Sequence, residues 1–291
     1  MGIGILYESK EWSSGYLEKC INAMGIPAKL IDLEADINEN DLLSYKLVIN
    51  RVCGSAGFRG HQKSLKRTPG IIALLEKNGV PMLNPYEAHF YETGKAHAAK
   101  TLAEHGFPVP KVYGVARPPG IIKNADIKYP CVVKPDCGGR SNCTFIVKNQ
   151  ARLCEFMKDA PDIEFIAEEY ISPWYGYLTR IEVIGYACRL AVKRSLAENG
   201  LSSYNLGSTY AAYDDFPGRV KDASEAAARL LKIETGSFDI VENESGFYFI
   251  DTNSVSNASE DSNELFIKDF NFDLIAETAA YAAGKYRELS I

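Results

Sequence analysis

Two runs in the C-terminal third decide the reading: Ser237-Phe-Asp-Ile-Val-Glu242 and Phe247-Tyr-Phe-Ile-Asp251-Thr-Asn253, joined by Asn243-Glu-Ser-Gly246. Two apolar runs about a Gly-containing turn predict a β-hairpin. With the turn centred near 244–245, facing residues have numbers summing to about 490, which sets Asp239 against Asp251 and leaves Asn253 two residues further on the same face. Like charges directly opposed on a sheet destabilise it, so carboxylates paired among apolar neighbours call for a cation. Three oxygen donors with no nearby His or Cys suit Mg²⁺ or Mn²⁺ better than zinc. The same carboxylates would also serve as solvated groups at strand ends, and the hairpin alone leaves both readings open.

Upstream, Tyr129-Pro-Cys-Val-Val-Lys134-Pro135 ends an apolar run on a lysine and continues into Asp136-Cys-Gly-Gly-Arg-Ser141. Such a lysine either snorkels to water or meets an anion. Gly138, Gly139 and Ser141 then offer a loop whose N–H groups can wrap phosphate oxygens, with an ordinary turn as the plain alternative. Arg180 in Leu178-Thr-Arg-Ile-Glu-Val and Lys193-Arg194 in Leu190-Ala-Val-Lys-Arg-Ser are strand-borne cations. They suit carboxylate or phosphate, or merely a solvent-facing strand. Ala167-Glu-Glu-Tyr-Ile171 is by itself an ordinary charged strand exit. The segment from Arg51 to Arg67 holds Arg51, Arg59, Lys63, Lys66, Arg67 and His61 and no acid. A basic loop in an acidic protein suits an acidic substrate or a carrier's acidic tail; the alternative is a solvated helix start.

The N-terminal part has a different texture. The apolar run 2–7, a helical pattern through Leu17, Cys20, Ile21 and Met24, and further apolar segments at 30–33, 47–50 and 80–83 with a helix over 64–78 predict an open α/β sheet, Rossmann-like in outline. A helix over 92–105 follows, carrying Lys95. Strand-like runs then dominate, with helices near 149–158, 221–233 and 271–284, which predicts α+β units of largely antiparallel pairing.

The chain has 291 residues, 46% apolar and 24% charged, which excludes disorder, collagen-like sequence and a disulfide scaffold and predicts two or three packed units. A formal charge of -6, from 38 acidic and 32 basic residues, excludes any global attraction to nucleic acid or anionic membrane. Seven cysteines, spaced singly with no C-x-x-C pair, predict reduced thiols. No run approaches the ~18 apolar residues of a membrane span, so a cytoplasmic chain with no nucleic-acid or membrane partner is expected. Gly94-Lys95 lacks the P-loop spacing, and Gly2-Ile-Gly4 continues to Tyr7 where a dinucleotide fingerprint needs glycine. Neither a nucleophile elbow nor a histidine metal pair is present.

Taken in order, Lys95 on a helix, Val-Val-Lys134-Pro with its Gly-rich loop, Glu168-Glu-Tyr-Ile171, Arg180, Lys193-Arg194, Asn205, Phe-Asp239-Ile-Val and Asp251-Thr-Asn253 resemble the ATP-grasp superfamily over nearly the whole chain. The likeness is to the branch containing the ribosomal protein S6 glutamate ligase and the ligase that attaches α-aminoadipate to a carrier protein. It implies three lobes, near 1–90, 91–172 and 173–291: a pre-ATP-grasp α/β domain and two ATP-grasp lobes with nucleotide between them. It further implies that Lys95 and Lys134 hold ATP phosphates under a lid at Gly138–Ser141 and that Glu169 and Tyr170 form the adenine hinge, with Glu168 and Ile171 also at the nucleotide. Arg180 and Arg194 would face the γ-phosphate and an acyl-phosphate, with Lys193 and Asn205 near the triphosphate and Asp239, Asp251 and Asn253 on Mg²⁺. Leu178 stands where this branch usually has a ribose-side aspartate, and Asp251 replaces the more usual glutamate.

The activity implied is a carboxylate–amine ligation through an acyl-phosphate, releasing ADP and phosphate. A non-catalytic ATP-binding module and a kinase that stops at phosphoryl transfer are the alternatives. The substrate would be an amino acid, a peptide or a small acidic carrier protein, with Arg59, Lys63, Ser256 and Asn257 as candidate contacts. A homo-oligomer is usual in this branch.

Overall fold

The computed structural model describes residues 2–8, 11–256 and 258–289, with the backbone alone at Asn205. The first unit comprises β1 (Ile3–Tyr7), α1 (Trp12–Ala23), β2 (Ala28–Asp32), β3 (Leu47–Asn50), α2 (Gln62–Lys77), β4 (Met82–Leu83) and α3 (Tyr86–Thr93). Its strands pair in parallel in the order β2-β1-β3-β4. A parallel sheet needs cover on both faces, which is why its strands read as near-continuous apolar runs. On one face Leu6 and Val48 pack with Ile71, Ile72 and Leu75 of α2. On the other, Ile3, Ile5, Leu47 and Ile49 pack with Leu17 and Ile21 of α1.

The second unit runs through α4 (Lys95–Glu104), β5 (Val112–Ala116), α5 (Pro118–Lys123), β6 (Cys131–Pro135), β7 (Phe145–Val147), α6 (Gln150–Lys158) and β8 (Phe165–Glu169). Its sheet is antiparallel in the order β5-β8-β6-β7. The third holds β9 (Tyr177–Ile184), β10 (Ala187–Ser195), β11 (Tyr210–Ala212), α7 (Gly218–Leu230), β12 (Thr235–Asn243), β13 (Gly246–Asn253), α8 (Glu260–Phe270) and α9 (Leu274–Glu288). Its antiparallel sheet has the order β11-β10-β9-β12-β13. The chain then returns: Leu274, Ala279, Ala282 and Ala283 of α9 join the cluster around α1, so residues near the C-terminal end complete the core of the first sheet.

Period-two alternation aims the charged residues. In the third unit Ile181, Val183, Phe238 and Ile240 face a core covered by α7, and Arg180, Glu182 and Asp239 face the opposite side. In the second, Cys131, Val133 and Ala167 face a core with Leu153 and Met157 of α6, and Val132, Lys134 and Glu168 face away from it. The two polar faces look at each other across a cleft.

Three local features depart from the sequence reading. The helix expected over 92–105 is two, broken at Gly94, so Lys95 opens α4. There the Lys95 N–H donates to the Asp136 carbonyl (3.2 Å) and the Ala96 N–H to Asp136 Oδ1 (2.8 Å), which docks α4 on the loop after β6. A helix outside those expected, α8, begins at 260, where Ser259 accepts from the Ser262 N–H and Glu260 and Asp261 fill the first turn. The hairpin carries a bulge: its turn pairs Asn243 with Gly246, a register that continued regularly would oppose Asp239 to Ile250, but the ladder shifts after Ile240–Phe249 and Asp239 meets Asp251.

Candidate active site

The facing sheets enclose a cavity of about 480 Å³, closed at one end by Glu11, Trp12, Ser13, Cys53 and Ser55 of the first unit. Its floor is built by register. Arg180 on β9 lies directly opposite Asp239 on β12, which lies opposite Asp251 on β13. Arg194 on β10 is two residues beyond Val192, the partner of Arg180, and so shares that face.

Each carboxylate in this row is held by a cation. Asp239 accepts from Arg194 Nη2 (2.9 Å) through one oxygen and from Arg180 Nη1 (3.2 Å) through the other. Arg180 Nε also donates to Glu182 (2.8 Å). Asp251 accepts from Lys95 Nζ at 2.6 Å. From the opposite sheet, Lys134 meets Glu168 at 2.6 Å and donates to the Ile250 carbonyl at 2.7 Å. Ile250 lies at the bulge, so the register shift that aligns Asp239 with Asp251 sits beside the carbonyl that receives Lys134.

These pairs set the ionisation. Burial resists charge on Asp239, yet the two arginines outweigh it and hold the carboxyl below its ordinary range. Burial likewise opposes the charge on Lys95 and Arg180, and Asp251 for the first and Glu182 with Asp239 for the second hold them above theirs. Burial wins at Glu168 and Glu92, whose carboxyls are pushed up. It also drives the thiols of Cys53 and Cys137 up to about 12 and about 11, so neither supplies a thiolate nucleophile near neutrality.

Lys95, Lys134, Gly138, Gly139, Ser141, Glu168 to Ile171, Arg180, Arg194, Asp239, Asp251 and Asn253 all line this one cavity. Asp239, Asp251 and Asn253 form an oxygen donor set without an ionised thiol beside it, and these residues fit a hard divalent ion such as Mg²⁺ or Mn²⁺. Among the described residues no three His, Cys, Asp or Glu side chains cluster as a metal centre; this set has two carboxylates and an amide. Leu178, 7% exposed, presents an apolar wall where an acid was looked for.

The remaining expected contacts lie elsewhere. Lys193 neighbours Arg194 on β10, so the pleat turns it to the other face; its ammonium sits 4.2 Å from the Tyr213 ring centre and 3.6 Å from Asp215. Arg59 is not a cavity residue either, being taken by Glu8 and by Glu11 (2.6 Å). Lys63 reaches the Glu34 carbonyl (2.8 Å) and Asp36 (2.9 Å) on the surface. Ser256 is buried, donating to Glu182 (2.6 Å) while its carbonyl accepts from Arg51 (2.9 Å). Asn257 and the Asn205 side chain fall outside the described residues.

Sequence reading missed Glu92, Glu182 and Asn84. Glu92 accepts from the Gly54 N–H (2.7 Å) and from the Ser254 N–H and hydroxyl (2.8 and 2.6 Å), tying the first unit to the segment after Asn253. Asn84 accepts from the Glu234 and Thr235 N–H groups and donates to the Thr235 and Ser254 carbonyls. Glu182 alone was legible, since two residues from Arg180 on a strand means the same face.

Residues 93–259, more than half of the chain, match the family model of the ATP-grasp domain. Beta-citrylglutamate synthase B of Danio rerio is 24% identical over 179 residues, 53% of this chain and 44% of that protein. The D-alanine–D-alanine ligase of Pediococcus pentosaceus is 28% identical over 149 residues, 47% of this chain and 41% of that protein. The matches thus span less than half the length of these curated relatives. The crystal structure of a RimK domain ATP-grasp protein from Sphaerobacter thermophilus superposes with a TM-score of 0.73 at 16% identity, covering 97% of this chain and 99% of that one.

Proposed function

The chain belongs to the ATP-grasp domain family, and on that premise we propose that it is an ATP-dependent carboxylate–amine ligase. The observation that carries this reading is the row of matched ions: Asp251 on Lys95, Asp239 on Arg180 and Arg194, and Glu168 on Lys134, all in one cavity between two sheets. Buried ion pairs are a weak source of stability, because desolvation consumes most of the attraction. They make sense as placeholders. A triphosphate takes over the cations, and Asp239 and Asp251, with Asn253, are left to hold a divalent ion. Mg²⁺ bound there supplies neutralisation of charge on the transferring phosphoryl group.

The proposed reaction needs little covalent work from the protein. A substrate carboxylate attacks the γ-phosphorus of ATP, ADP leaves, and an acyl-phosphate forms. An amine then attacks the acyl carbon, the C–O bond to phosphate breaks, and the amine's proton is lost. Lys95 and Lys134 orient the phosphates, and Arg180 and Arg194 neutralise the charge passing between them. Cavity residues Glu168 to Ile171 receive adenine against Val132, Ile146 and Leu178. The names of the two curated relatives, a synthase of β-citrylglutamate and a ligase of D-alanine with D-alanine, support an amide product. An amino acid or a peptide fits as the substrate class. An acidic carrier tail gains nothing from Arg59 or Lys63, whose charges are used within the first unit.

The test is nucleotide release from Mg-ATP with pooled carboxylates and amines. Acceptor-dependent ADP and phosphate are expected; AMP and pyrophosphate would overturn the acyl-phosphate route, and nucleotide binding without turnover across broad pools would favour a binding module.

A further inference from the structure

The Gly-rich loop does not stand open in the cleft. It is seated on the first unit, over the segment Gly54–Arg59, and the approach is close: a Cβ added at Gly54 would lie 3.3 Å from the Gly138 carbonyl oxygen, and one at Gly139 would lie 3.3 Å from Ser55 Cβ. Cys137 Sγ lies 3.5 Å from the Gly54 carbonyl. Three non-glycine residues of the loop, Arg140, Ser141 and Cys143, hold φ of 58°, 58° and 48°. Side chains resist that region, so a run of such residues persists only where the surroundings hold it.

The hold is visible at Arg140. Its Nη2 donates to Glu11 Oε1 at 2.8 Å, and the same oxygen accepts from Arg59 Nη1 at 2.6 Å. Arg59 is anchored in turn on Glu8, which is fully buried. Glu11 and Arg140 both line the cavity, one from each unit. The basic residue that sequence reading assigned to substrate therefore fixes the acid that receives the loop.

We propose that Glu11 is the latch of the lid: preset by Arg59, it captures Arg140 and keeps the loop 137–143 closed over the reacting centre. The latch is a positioning device, and its chemical purpose, keeping water from an acyl-phosphate, rests on the ligase reading given above. It predicts a pairwise signature. Glu11→Gln, Arg140→Gln and the double variant each remove the Glu11–Arg140 ion pair, so their effects on the loop coincide instead of adding.

The experiment that isolates the latch from catalysis is hydrogen–deuterium exchange of the peptide spanning 137–143 in the full-length protein without nucleotide. Exchange should quicken by about two- to five-fold in each single variant, the range set by a partly exposed ion pair, and no further in the double. Wild-type exchange in Glu11→Gln, or effects that add in the double variant, would overturn it. A second arm counts ADP released per amide formed, which should rise in all three variants as acyl-phosphate leaks to water; an unchanged ratio would overturn the water-excluding role. A wild-type protein that forms no ADP with any substrate would remove the ligase reading while the exchange arm still decides the latch.

Discussion

The cavity floor and the segment Arg51–Arg67 are both rich in cations, and they use them in opposite ways. In the cavity the charges arrive from far apart, Lys95 at the start of α4, Lys134 on β6, Arg180 on β9 and Arg194 on β10, and each meets a carboxylate on another element. In Arg51–Arg67 the cations are neighbours in sequence and disperse in space. Arg51 runs to Ser13 and the Ser256 carbonyl, and Arg59 to Glu8 and Glu11. Lys63 and Arg67, four apart on α2 and hence on one of its faces, reach over the 33–39 segment to Glu34, Asp36 and Glu39. A run of like charges in sequence thus says little about a binding surface. Cations brought by separate strands to one buried face, where desolvation makes idle charge costly, say more.

The sharpest way to break this contrast is at the floor. Asp251→Asn should lower turnover by about 10³-fold or more by weakening the divalent-ion set, while circular dichroism shows the fold retained; wild-type rates would mean that the paired acids are structural. In the basic segment the expected loss is of stability. Arg59→Met strands the buried Glu8 carboxylate, whose Oε2 has no hydrogen-bond partner among the described residues, and should cost about 3 kcal/mol in urea unfolding, with no rise in KM beyond that of Glu11→Gln. A raised KM without destabilisation would restore Arg59 to the substrate.

Between the two regions lies α3, where burial lowers the His89 pKa to about 4 while its ring meets Asn50 of β3 at 3.3 Å. A histidine depressed on folding contributes stability in full above its unfolded pKa, and loses it as pH falls toward the folded value. Acidification from pH 7 to 4 should therefore remove up to about 3 kcal/mol that His89→Leu retains, measured as the difference in urea midpoints across that window. At the smallest end, Lys63→Ala should leave both the unfolding midpoint and KM unchanged, since its ion pair is solvent-exposed.

The hairpin shows how far sequence carries. Its two runs, its turn and the opposition of Asp239 to Asp251 were legible, but the opposition is realised through a bulge beside Ile250 that no residue in the run announces. Alternation, applied to these strands, would have placed Glu182 on the face of Arg180 and separated Lys193 from Arg194 by the same rule. Glu92 and Asn84 were not legible, because nothing in a local stretch says that a helix acid will meet Gly54 and Ser254, or that an asparagine between β4 and α3 will satisfy four backbone groups of Glu234, Thr235 and Ser254.

By itself, then, the sequence determined the α/β pattern of the first unit and the largely antiparallel pattern that follows, because period and turn chemistry act within a strand or a hairpin; the groups expected in the cavity came from their order along the chain, read as a resemblance. Tertiary structure alone decided which acid each cation meets, that the C-terminal helix α9 completes the N-terminal core, and that Arg59 pairs with Glu8 and Glu11. Those outcomes depend on contacts between elements well separated in the chain, such as Arg194–Asp239, 45 residues apart, and Lys95–Asp251, 156 apart, whose energies exist only once the elements have packed.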